Sequence, residues 1–170
     1  LDSLLVGDRD IEILVVNDGS SDDTADVADL YQIAHPGIVR ASHQENKGHG
    51  GAINTGLAAA TGEFIKIVDS DDWVDGHAFS ALLRELRRLK GSGGVDLVIS
   101  NFVYEKVGKR NKTVMRYRDA LPAGRVFGWD EVGRLGKRQY FLMHAVVYRT
   151  QRRRDAELER PEHTFYGDNL

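Results

Sequence analysis

No cysteine occurs in this chain. A disulfide framework and a thiolate metal site are therefore excluded, and the absence is compatible with the cytosol. Nor does any apolar run approach the roughly 20 residues of a transmembrane helix. An excess of charge of one sign is missing too. The 23 basic and 26 acidic residues leave a net charge of −3, which gives no basis for a general nucleic-acid binder. No internal repeat and no low-complexity linker divides the sequence. What remains is 170 residues, a length that suits one domain and suffices to bury a core. Leu1, Leu4 and Leu5 read as the last turn of an amphipathic helix, and the chain stops at Leu170 directly after an acidic motif. The expectation is a partial domain of a longer protein.

The most informative feature present is Asp69-Ser70-Asp71-Asp72. It follows Phe64-Ile65-Lys66-Ile67-Val68, an apolar run that reads as a buried strand. Clustered carboxylates repel one another unless a cation or hydrogen-bond donors neutralise them. Hard oxygen ligands of this kind suit Mg²⁺ or Mn²⁺, held by carboxylates together with substrate phosphates. The simpler use of Asp72 or Asp75 is to cap a helix that begins near Gly76. One cap does not require the other carboxylates, so the cluster points to a metal-assisted site for a phosphorylated substrate.

Periodicity gives the order of elements. Ile11 to Val16 is a buried strand, closed by the turn Asn17-Asp18-Gly19-Ser20-Ser21. A helix follows with Val27, Leu30, Tyr31 and Ala34 on its inward face, and His35-Pro36-Gly37 stops it. Ile38 to Ala41 is a short strand, and Ser42 to Gly51 a polar, Gly-rich loop. A second helix covers Gly51 to Ala60, with Ala52, Ile53, Leu57 and Ala60 inward. After the acidic cluster, Phe79, Leu82, Leu83, Leu86 and Leu89 define a third helix, and Val95 to Ser100 another buried strand. This alternation predicts a doubly wound α/β sheet, mostly parallel, with helices on both faces. The rest is mixed: a hairpin from Phe102 to Tyr117, a short helix over Trp129 to Leu135, and a strand over Phe141 to Tyr148. Ligands of open α/β sheets bind at the carboxyl ends of the strands. Asp18, His43 and Asp69 each follow a predicted strand, so they are expected to gather at one edge.

Three segments taken together resemble the inverting family 2 glycosyltransferases. They are Val15-Val16-Asn17-Asp18-Gly19-Ser20-Ser21-Asp22-Asp23-Thr24, then Asn46-Lys47-Gly48 with Ala52, Asn54 and Gly56, then Val68-Asp69-Ser70-Asp71-Asp72-Trp73. The resemblance covers about residues 1–104 well and the remainder less specifically. It implies a GT-A fold and a nucleotide-diphosphate sugar as donor. Residues 1–104 would form the nucleotide-sugar part, and 105–170 the acceptor side, of a single partial domain. By the resemblance Asp18 binds the base or ribose, a task suited to a carboxylate acceptor. Lys47, Gly48 and Asn54 belong to the nucleotide-sugar site, where Gly48, Gly50 and Gly51 let backbone approach the nucleotide and Asn54 organises the loop. The acidic cluster matches a DXD-type motif. Asp71 is the first choice for direct contact with Mn²⁺ or Mg²⁺, with Asp69 and Asp72 supporting the metal, the ribose or both. Trp73 reads as a core residue.

Within Glu162-His163-Thr164-Phe165-Tyr166-Gly167-Asp168-Asn169, Asp168 matches the family's catalytic base, with Gly167 standing where Glu is common. His144, in an apolar stretch from Leu142 to Tyr148, falls in a segment similar to the acceptor side. Arg149 and Arg152 to Arg154 read as a solvated basic run. Their functional alternative is contact with diphosphate or an anionic membrane surface. The implied reaction moves a sugar from a UDP-sugar, or another nucleotide-diphosphate sugar, to a hydroxyl with inversion. The implied acceptor is a bacterial envelope polysaccharide or a lipid-linked glycan, reached in the cytoplasm at the inner face of the membrane. Family members begin with a strand ending in a Pro-x-Tyr-Asn-like segment that this chain lacks, so an exposed sheet edge is expected. Two other readings stand beside transfer. A nucleotidyltransferase would take a nucleoside triphosphate and would not need Asp168. A nucleotide-sugar-binding module would bind without turnover.

Overall fold

A computed structural model describes residues 1–164 apart from 92, 93, 107, 109, 110, 138, 157 and 158, with the side chains of 8 and 9 also outside the description. Strand β1 (Ile13–Asp18) pairs in parallel with β2 (Val39–Gln44), in a register that runs from Ile13 opposite Val39 to Asp18 opposite Gln44. A parallel pair needs a crossover, and α1 (Thr24–Ala34) supplies it. Helix α2 (Gly48–Ala59) leads to β3 (Phe64–Lys66), and α3 (Gly76–Leu89) leads from there to β4 (Leu97–Ile99). Strands β5 (Phe102–Tyr104) and β6 (Thr113–Met115) form the expected antiparallel hairpin, although 107, 109 and 110 of its turn region lie outside the described residues. A 3₁₀ turn at Met143–Ala145 precedes β7 (Val146–Arg149), and α4 (Thr150–Asp155) follows it.

The expected α/β alternation holds, but the sheets are mixed rather than mostly parallel. Strand β7 inserts between β3 and β4 and runs antiparallel to both. Its Val146 and Val147 are buried, so an apolar run from late in the chain becomes the centre of a sheet whose outer strands come much earlier. The first half of the expected strand Phe141–Tyr148 is instead occupied partly by the 3₁₀ turn. Around it Met115, Tyr117, Leu121, Ala145 and Val146 form the core of the C-terminal part.

Among the described residues β1 pairs only with β2, and β3 only with β7. Both strands line one cavity of about 1110 Å³ with Leu14, Val15, Ile65 and Ile67 among its walls. Among the described residues β1 and β3 therefore each leave an edge unpaired, in two separate sheets. The inward face expected for α1 is not the buried one, and only Val27 and Ala28 of that helix's apolar residues line the cavity. Val27 and Leu30, expected inward, are 43% and 64% exposed, Ala34 is also exposed, and Ala28 is the buried residue of that helix. Trp73, expected in the core, is 61% exposed.

The basic run is not a solvated loop. The Arg149 Nε donates to the carbonyl of Val95 at 2.7 Å, and the guanidinium pairs with Glu63 and lies 4.7 Å from the centre of the Phe64 ring. Arg152 bonds Asp96 at 2.7 Å, and Arg154 donates to the Ala60 carbonyl at 2.6 Å. These bonds fasten β7 and α4 to the end of α2 and to the residues that lead into β3 and β4. A long stem with a charged head packs well where carbonyls and carboxylates end a sheet.

Glu12 ties the start of β1 to the turn before β3. Its carboxylate accepts from the Thr61 hydroxyl at 2.9 Å and from the Gly62 N–H at 2.8 Å. Burial raises its pKa, but the bonds from Thr61 and Gly62 and the charge of Arg40 together hold it below the ordinary 4.5. The folded state therefore binds fewer protons here than the unfolded one, so this stabilisation is complete above pH 4.5 and is lost as pH falls through the lowered value. Glu12→Gln is expected to reduce the fall in urea midpoint measured from about pH 6 to about pH 3. An unchanged acid limb would show that Glu12 contributes nothing to it.

Candidate functional site

The site begins where the strands end. Asp18 is the last residue of β1, and the register sets it opposite Gln44. The Gln44 amide donates to Asp18 Oδ1 at 2.6 Å, and the backbone N–H of Lys47 does so at 2.9 Å. Burial raises the Asp18 pKa. The donors at Lys47, Gln44 and Gly48 and the charge of His163 outweigh that and hold it below the usual range. Asp18 is thus an ionised carboxylate fixed at the start of α2.

Asp69 reaches the same place from β3. Its Oδ1 lies 3.3 Å from Nε2 of His49, in the first turn of α2. Lys47 and His49 therefore bring Asp18 and Asp69 each against the start of α2, although their strands belong to separate sheets. His43 does not join them. It lies within β2, and its ring is held by Asn17 at 3.2 Å and Asp29 at 3.0 Å.

The acidic cluster divides by role. Asp75 caps α3, its Oδ1 accepting from the Ala78 N–H at 2.8 Å, which satisfies one of the orphan donors of a helix start. Asp72 is thereby spared that duty. It turns back, its N–H bonding the Asp69 carbonyl at 3.1 Å. Asp69, Asp72 and His144 bring one ligand atom each to within 4.8 Å of one another. The Nδ1 of His144 lies 3.4 Å from Asp72 Oδ2 and 3.8 Å from Asp69 Oδ2, and it is buried with no hydrogen-bond partner. A buried nitrogen without a partner, facing two carboxylates, is a donor set that fits a divalent cation. Asp71, the first choice from the sequence, is exposed and stands outside this group. His144, placed on the acceptor side by the sequence, stands at the carboxylates.

Lys66 holds His144 there. Its ammonium donates to the His144 carbonyl, so β3 grips the turn that carries the imidazole. Burial pushes the Lys66 pKa down to about 8, with the charge of Asp72 opposing. Sequence reasoning treated Lys66 as part of a strand. A lysine inside an apolar run was the available signal, since such a lysine must find a partner.

The glycine-rich start of α2 serves a different neighbour from the one expected. A Cβ at Gly50 would lie 2.2 Å from the Pro161 carbonyl oxygen, and one at Gly48, where φ is 76°, would lie 2.8 Å from the His163 nitrogen. Asn54 donates from Nδ2 to the Arg160 carbonyl and accepts from the Arg160 N–H, each at 2.9 Å. Its amide is spent on the chain near residue 160 rather than on the loop beside Asp18. The His163 N–H donates to the Lys47 carbonyl at 3.0 Å, and Lys47 Nζ lies 3.7 Å from Glu162. Asp168 lies outside the described residues.

The model of the family described as Glycosyl transferase family 2 matches residues 1–156. The chain is 33% identical over 171 residues to "Putative glycosyltransferase EpsH" of Bacillus subtilis (strain 168), an alignment that covers 92% of this chain and 46% of that protein. The chain thus spans less than half the length of this relative. The crystal structure of S. aureus TarS 1-349 superposes with a TM-score of 0.71 at 23% identity, over 99% of this chain and 48% of that one. A TarS structure in complex with UDP-GlcNAc gives 0.69 at 22% identity, over 100% and 46%. The architecture is the GT-A-like α/β fold.

Proposed function

The chain belongs to glycosyl transferase family 2, and from that membership we propose that it moves a sugar from a UDP-sugar to a hydroxyl acceptor with inversion, assisted by Mn²⁺ or Mg²⁺. The observation that carries the proposal is the meeting of Asp69, Asp72 and the buried His144 Nδ1 beside the start of α2, which also holds Asp18. The structure of TarS with UDP-GlcNAc, in the same fold, supports UDP as the nucleotide.

Asp18 receives the base or ribose as a fixed, ionised acceptor. Lys47 and His49, at the start of α2 beside Asp18 and Asp69, would add hydrogen-bond donors toward the nucleotide-sugar. Asp69, Asp72 and His144 would hold the cation, which when bound would neutralise charge on the departing diphosphate. Lys66 keeps the His144 turn in register with β3. Asp168 takes the proton from the acceptor hydroxyl as that oxygen attacks the anomeric carbon. The acceptor is a saccharide or lipid-linked glycan of the bacterial envelope, a class that follows from the family resemblance. It is met in the cytoplasm at the inner membrane face. Among the described residues no helix is long and apolar enough to cross a membrane.

The open cavity between β1 and β3 favours a second reading, a module that binds nucleotide-sugar without turnover. Hydrolysis of a UDP-sugar panel, with Mn²⁺ and then with excess EDTA, separates the two. Transfer chemistry predicts UDP release that chelation abolishes. Saturable UDP binding without release would establish the module instead. Pyrophosphate release from a nucleoside triphosphate would identify a nucleotidyltransferase.

A further inference from the structure

We infer that Asn54 is a positioning residue, anchoring residues 160–164 as a strap that fixes the approach of the chain to the site. This rests on the transferase reading above. The strap meets α2 through several independent contacts. Asn54 forms two reciprocal hydrogen bonds with the Arg160 backbone, across 106 residues of sequence. Such a pair satisfies one donor and one acceptor of the backbone at once and leaves the segment a single register on the helix. The Pro161 carbonyl sits where any side chain at position 50 would stand. The His163 N–H closes on the Lys47 carbonyl, and Glu162 reaches the Lys47 ammonium. The Thr164 hydroxyl bonds the Pro161 carbonyl at 3.2 Å and tightens the turn.

The strap therefore ends on the residue whose own N–H holds Asp18. In sequence it leads within four residues to Asp168. Asn54 and Gly50, which the resemblance assigns to the nucleotide-sugar site, thus hold the segment that in sequence precedes the proposed base. Gly50 serves by lacking a side chain, and Asn54 by gripping the backbone.

The test uses Asn54→Ala, Asn54→Asp and Gly50→Ala in the full chain. Asn54→Asp keeps the acceptor for the Arg160 N–H and loses the donor, so it is the milder variant should Asn54→Ala fold poorly. Amide hydrogen exchange at Arg160 and His163 is compared with exchange along α2. UDP affinity and the kcat of metal-dependent UDP-sugar hydrolysis are measured beside it. The expected result is faster exchange confined to the strap, UDP affinity nearly unchanged, and kcat lower by about 10²-fold, the cost of a misplacement near 1 Å. Unchanged exchange at Arg160 would overturn the anchor. A released strap with unchanged kcat would overturn the positioning role. Equal losses of kcat and UDP affinity would assign Asn54 to donor binding or general stability instead. Wild-type protein that binds no UDP and releases none from any donor would sink the transferase reading and the positioning role with it, while the exchange result would still stand as a statement about the anchor.

Discussion

Asp168→Asn is expected to lower transfer or donor hydrolysis by about 10²–10⁴-fold at saturating donor, the range for a positioned acid or base, with UDP affinity nearly unchanged. The amide keeps the shape of the carboxylate and removes its ability to accept a proton. Glu162 is the competing carboxylate in the same motif. Its side chain lies 3.7 Å from the Lys47 ammonium, which ties it to the α2 side of the strap. Glu162→Gln should therefore cost much less, since an ion pair at a half-exposed site contributes little. The comparison is kcat for the two amide variants under one donor concentration. A slow Glu162→Gln beside a normal Asp168→Asn would reverse the assignment of the base.

Asp69→Asn is expected to weaken Mn²⁺-dependent UDP binding by at least about 10–100-fold, because even partners one shell removed from a metal cost that much when lost. Asp69 is the carboxylate with most at stake. One oxygen faces His49 at 3.3 Å and the other faces His144 at 3.8 Å. Folding stability should hardly change, since removing one charge relieves repulsion with Asp72 and offsets the weaker attraction to the two histidines. Asp72→Asn should behave similarly. Asp71→Asn discriminates between two arguments. The family motif makes Asp71 the metal ligand, whereas the geometry gathers Asp69, Asp72 and His144 without it. Titrating Mn²⁺ and UDP together against all three variants decides the matter, and full affinity in Asp69→Asn would remove that residue from the site.

The sequence by itself determined what depends on local order. Hydrophobic period placed β1, α2, β3 and α3, and the end of each apolar run set Asp18 and Asp69 at or just past the carboxyl ends of β1 and β3. The expectation that those two carboxylates gather on one side followed from a general rule of open α/β sheets, and in the structure both reach the start of α2. Tertiary structure decided everything that depends on partners distant in sequence. Which strand lies beside β3 is a choice among apolar runs of similar character, and β7 won it, carrying His144 against Asp69 and Asp72. Polar side chains likewise take partners that local pattern does not name. The resemblance gave Gly50 a close approach to the nucleotide and Asn54 the organisation of the loop beside it, and local pattern names no other partner for either. The Arg160 backbone and the Pro161 carbonyl took those places, because only the folded chain brings them within reach.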